Sequence, residues 1–150
     1  MLRSNIGFSR GVCRTWVVVL LALVCGACTD SDQLTEKQVA ALEQRVRDRW
    51  QALSERDFEK AWEFTTPTFR ASFPKQLYVK KFSYAVEWEL TGVEFVNYDA
   101  PAAVASVVAR VMSKPTKQTS TASLLVGPIP NNLRERWIFA DGEWWFSANY

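Results

Sequence analysis

Acid–base chemistry in this chain would have to come from carboxylates and tyrosines, because the 150 residues include no histidine. That absence removes histidine metal ligands, the Ser-His-Asp triad and the Cys-His pair together. An isomerase- or cyclase-type proton transfer needs a carboxylate base in an apolar pocket and a hydroxyl donor at the developing enolate. Asp99, Tyr78, Tyr84 and Tyr98 are the residues that could supply them. Asp99, however, sits just before Pro101 in a turn-like stretch, where a solvated aspartate is commonplace. Glu87, Glu89 and Glu94 belong to an alternating run whose polar face reads as exposed. No catalytic residue is therefore assigned, no metal site is expected and no cofactor is implied.

The three thiols are Cys13, Cys25 and Cys28, all near the N-terminus. Arg3, Arg10 and Arg14 are the only charges before Asp30, and the apolar run Trp16–Val24 follows them. A basic segment followed by a short apolar one is the layout of an export signal. The run is far short of the roughly 20 residues that span a bilayer. The segment Cys25-Gly26-Ala27-Cys28 resembles the bacterial lipobox, with Cys28 as the residue that would be lipidated. Cys25 departs from the aliphatic residue usual at its position. By that resemblance, residues 1–27 are a signal peptide, 28–34 a tether and 35–150 the folded domain. The implied partner is a lipid bilayer, reached through acylated (palmitate-type) Cys28, and the implied location is the cell envelope, facing the periplasm. Thr29, rather than Asp, after the cysteine tilts the sorting towards the outer membrane.

Such processing changes the arithmetic. The whole chain carries 18 bases and 16 acids, a net charge of +2, too small to suggest nucleic-acid binding. Removing three arginines and no acid leaves one more acid than base, and Cys28 as the last thiol. With 48% hydrophobic and 23% charged residues, one globular domain is expected rather than a disordered polyelectrolyte.

The elements that must position any site read as helices followed by strands. Thr35 and Gln38 form a capping box, after which Val39, Leu42, Val46, Trp50 and Leu53 share one helical face. Glu43 and Arg47 lie on the charged face. Asp57 caps a second helix with Phe58, Ala61, Trp62 and Thr65 inward. Pro67 opens a third, burying Phe69 and Phe73. Pro74 opens a fourth, with Leu77 the inward candidate ahead of Tyr78. From Val86 the period becomes two, and a one-residue bulge at Thr91-Gly92 would keep Glu94 on the face of Glu87 and Glu89. Asp99–Pro101 is a turn, and Val104–Met112 a second strand in which Arg110 pairs with the glutamates. Lys114–Ser123 reads as a loop or a strand extension, and the stretch from Gly127 to Asn132 as a loop. Asp141-Gly142 reads as a two-residue type I′ hairpin. It places Trp137, Phe139, Trp144 and Phe146 on one buried face. The other face carries Arg136, Ile138, Glu143 and Trp145.

This order, with Val46–Phe69 and Arg134–Phe146 as the matching stretches, resembles the nuclear-transport-factor-2-like superfamily, which includes SnoaL-type cyclases and ketosteroid isomerase. The resemblance implies an α+β fold, its helices packed on a curved, cone-shaped, cystatin-like antiparallel sheet. It does not decide function. The lipid anchor and the lack of an acid–base constellation favour a non-catalytic envelope lipoprotein that binds a partner protein or small ligand through its pocket or sheet face. Trp145, Arg136 and Glu143 are the candidate interaction surface, and a homodimer or an envelope protein is the expected partner. The alternatives are a SnoaL- or isomerase-like enzyme acting on a small apolar ligand, and a cell-wall glycan binder using tryptophan stacking.

Overall fold

A computed structural model describes residues 32–82, 86–116 and 127–148. The export segment with Cys13, Cys25 and Cys28, Tyr84, and residues 117–123 of the Ser/Thr/Lys-rich stretch lie outside the described residues. Four helices precede four strands: α1 (Glu36–Ser54), α2 (Phe58–Glu63), α3 (Pro67–Ser72), α4 (Lys75–Lys80), β1 (Val86–Asp99), β2 (Val104–Pro115), β3 (Ile129–Ala140) and β4 (Glu143–Phe146). The strands form one open antiparallel sheet in the order β1-β2-β3-β4. The α+β class is therefore the one expected.

Each helix starts where its capping chemistry allows. Thr35 and Gln38 satisfy one another's backbone N–H groups at the head of α1. Asp57 accepts from the Lys60 N–H at 3.0 Å, and Thr66 accepts from the Phe69 N–H ahead of Pro67. Leu42, Val46, Trp50 and Leu53 of α1 are buried, with Phe58 and Ala61 of α2 behind them. In α4 the inward residue is Tyr78, fully buried, whereas Leu77 is 48% exposed. The expectation for Leu77 is thus corrected. A helix of six residues spans under two turns and lacks the repeat that would single out one face.

The sheet register carries the next constraint. A shift between Leu90 and Gly92 keeps Trp88, Leu90, Val93 and Phe95 facing the helices and Glu87, Glu89 and Glu94 facing out. This is the expected bulge, and Arg110 pairs with Glu94 across the outer face. A second shift between Phe95 and Asn97 leaves Val96 exposed. Asp141 (φ 54°) and Gly142 (φ 81°) both occupy the left-handed region, as a type I′ turn requires. The hairpin pairs Trp137 with Phe146 and Phe139 with Trp144.

One stretch expected as a loop is strand: Pro130, Asn131 and Asn132 belong to β3 and oppose Met112, Val111 and Arg110. The reason is an open edge. β4 pairs only with Trp137–Ala140, so the first half of β3 has no further strand beside it among the described residues. A proline is tolerated there. The far side of β4 is closed by the turn after α2. The Phe146 N–H donates to the Phe64 carbonyl, and the Thr66 N–H donates to the Phe146 carbonyl.

Candidate functional site

The helical repeat of α1 places position 49 on the same stripe as Leu42, Val46 and Leu53, and that position is an arginine. The hairpin register, continued one step past Trp137, places Glu135 on the aromatic face of β3. Two opposite charges thus stand at core positions of two elements, and they meet. Arg49 donates through one terminal nitrogen to Glu135 Oε1 at 2.8 Å. Trp50 donates its indole N–H to the same oxygen at 2.9 Å, and Trp137 donates to Oε2 at 3.0 Å. Both charged side chains are 6% exposed. A buried charge of this kind persists only when paired and hydrogen-bonded. The guanidinium also lies flat over Phe146, 3.7 Å from the ring centroid.

Two polar atoms in this cluster remain without a partner: Arg49 Nε and the Tyr78 hydroxyl. The Arg49 guanidinium lies beside that hydroxyl without completing a hydrogen bond to it. Burial pushes the Tyr78 hydroxyl above its ordinary value of 10.0, Arg49 draws it back and Glu135 adds to the rise. An unpaired buried donor costs about 1–3 kcal/mol.

Arg49 borders a cavity of about 310 Å³ lined by Trp50, Leu53, Phe82, Trp88, Leu133, Arg134, Glu135 and Phe146. Its wall is mostly apolar, and its charged members are the Arg49–Glu135 pair and the exposed Arg134. Small-ligand sites have this composition. Both Glu135 oxygens are occupied by donors, so neither is placed to take a substrate proton.

Among the described residues, those considered for acid–base chemistry are not brought together. Asp99 is exposed and accepts from the Ala102 N–H at 3.2 Å, an ordinary turn contact. Tyr98 is half-buried, its ring edge-on to Trp144. Glu87 pairs with Arg56 at 3.5 Å. Among the described residues, no group of three or more Cys, Asp or Glu could hold a metal ion.

The interaction candidates fall in different surroundings. Trp145 is half-buried and donates its indole N–H to the Ala140 carbonyl at 3.1 Å. Two helix arginines lie over its ring, Arg70 at 4.8 Å and Arg45 at 5.6 Å from the centroid. Glu143 pairs with Arg45 at 3.5 Å. Arg136 is exposed, opposite Ser106. Sequence reasoning passed over Arg49 and Glu135, though both had a signal: a charge at a core-facing repeat position on each of two elements.

No family model matches this chain, and no curated protein does. Among solved structures it is similar to a SEC-C motif-containing protein from Rhodopseudomonas palustris. The two share 18% identity over 73% of this chain and 77% of that one, with a TM-score of 0.49. These findings correct the expected membership of the nuclear-transport-factor-2-like superfamily, and with it the relation to SnoaL-type cyclases and ketosteroid isomerase. The resemblance rested on element order and an Asp-Gly hairpin. Both follow from local turn and capping chemistry that unrelated α+β domains share.

Proposed function

We propose that this protein is a lipid-anchored, non-catalytic binding protein of the bacterial envelope. In this reading it is tethered through acylated Cys28 after removal of residues 1–27. The domain faces the periplasm, with the outer membrane favoured by Thr29, and its inner cavity takes a small, mostly apolar ligand with one oxygen-bearing head. The observation that carries the ligand reading is the unsatisfied Arg49 Nε, on a residue that lines a mostly apolar cavity of about 310 Å³. The oxygen-bearing head would accept from Arg49, and the body would lie against Trp50, Leu53 and Trp88. The anchor reading rests on the sequence alone: three arginines, a short apolar run and a lipobox-like Cys25–Cys28.

The test titrates the purified full chain with straight-chain carboxylates from butanoate to decanoate and follows tryptophan fluorescence. Saturable quenching that a bulky Leu53→Trp substitution abolishes is the expected result. A response no member of the series produces, or one that Leu53→Trp leaves intact, removes the cavity from the argument. Mass spectrometry of the protein extracted from membranes addresses the anchor. A diacylglycerol-bearing Cys28 is expected at the mature N-terminus, and Cys28→Ser should release the protein from the membrane.

A further inference from the structure

The arginines among the described residues divide sharply by what they touch. Arg45 pairs with Glu143, Arg47 with Glu43, Arg49 with Glu135, Arg56 with Glu87 and Arg110 with Glu94. Arg70 donates to the Glu63 and Thr65 carbonyls. The side chains of Arg134 and Arg136 have neither an ion pair nor a hydrogen bond among the described residues, and both are exposed. They stand two positions apart on β3, so their side chains leave the same face of the strand. Both line one concavity of about 440 Å³ that also takes in Ser106, Ser147, Val96, Val107, Phe146 and Glu135, the last with both carboxylate oxygens already held by Arg49, Trp50 and Trp137.

The surroundings leave these two charges unneutralised. Across the outer face, Arg136 is followed by Ser106 and then Asn97, with no acid in the row. Arg134 is followed by Val108 and then Glu94, which Arg110 already occupies. Glu135, between them in sequence, turns its carboxylate inward to Arg49. The Ser147 N–H donates to the Arg136 carbonyl at 2.8 Å, which holds Ser147 at the rim. Two guanidinium forks with hydroxyls beside them match a tetrahedral oxyanion, because each fork can give two parallel N–H bonds to adjacent oxygens.

The geometry points to a phosphate-binding site between Arg134 and Arg136, with Ser106 and Ser147 as neutral donors. The ligand is a phosphate group, whether free or carried on a phospholipid headgroup. Arg134 also borders the inner cavity, but Arg136, Ser106 and Ser147 do not. Failure of this site therefore leaves the cavity reading standing.

The experiment follows the arginine Nε–H resonances of the full chain in detergent during titration at low salt. One arm uses inorganic phosphate, and the other uses glycerophosphoglycerol, the deacylated headgroup of phosphatidylglycerol. Saturable shifts confined to two arginines, lost in Arg134→Gln and Arg136→Gln, are expected. Each single variant should weaken binding at least about tenfold, the effect of losing one charge-assisted contact. Tighter binding of the headgroup assigns a lipid source, and tighter binding of phosphate a soluble one; either supports the site. Both side chains are exposed, so the thermal midpoint of each variant should match the parent and separate lost binding from lost fold. No saturable shift with either anion, or equal binding by the double variant, overturns the proposal.

Discussion

Arg49 and Glu135 stand 86 positions apart in the chain and 2.8 Å apart in the interior. The pair joins the last turns of α1 to the centre of the sheet, and two indole N–H groups complete it. Removing one partner should be far worse than removing both. Glu135→Leu leaves a buried guanidinium uncompensated and should cost about 3–5 kcal/mol. The Arg49→Met/Glu135→Leu double variant should recover most of that loss, because the apolar pair no longer carries desolvated charge. Urea midpoints of the two singles and the double decide the matter. A double variant no more stable than either single would show that the pair's geometry, and not its charge balance, is what matters.

Tyr78 offers a separate reading by pH. Its hydroxyl is held above its ordinary value of 10.0, chiefly by burial. Above pH 10 the unfolded chain gives up this proton while the folded chain keeps it, so stability must fall as pH rises. Tyr78→Phe should abolish that part of the alkaline slope. At neutral pH the same substitution removes a hydroxyl without a partner and should leave stability unchanged or raise it by about 1 kcal/mol. Denaturation of both proteins at pH 7 and above pH 10 provides the comparison.

The Asp141-Gly142 turn should tolerate little. Gly142 has φ 81°, a conformation that strains any side chain. Gly142→Val should cost about 1–2 kcal/mol, whereas Asp141→Asn should be nearly neutral, since Asn favours the same region. Thermal melts of the two variants check both statements.

Trp145 is half-buried. Arg45 and Arg70 both lie over its ring, and its N–H is spent on Ala140. Trp145→Ala should therefore lower stability by about 2 kcal/mol through lost burial and cation–π contact. Arg70→Ala should blue- or red-shift the tryptophan emission. Unchanged stability in Trp145→Ala would show that these contacts do not anchor the ring.

Much of the architecture was legible because its causes are local. A capping box closes within four residues, and a two-residue turn sets the register of the strands on both sides. The Thr91-Gly92 bulge was legible because a one-step slip would have carried Glu94 to the apolar face. The bulge at Val96 had no such signal, since a valine is acceptable on either face. Pro130 misled for the opposite reason: a residue that breaks an internal strand is harmless on an open edge, and only the length of β4 makes that edge open.

By itself, the amino-acid sequence determined the order of helices and strands, the caps, the hairpin and the aromatic face. Each of these depends on neighbours a few positions away or on a simple repeat. The tertiary structure alone decided the candidate sites. Joining Arg49 to Glu135, leaving the Tyr78 hydroxyl without a hydrogen bond, and leaving Arg134 and Arg136 without an ion pair among the described residues are matters of which distant groups come within hydrogen-bond reach. Desolvation and pairing act through space, so no spacing along the chain encodes them.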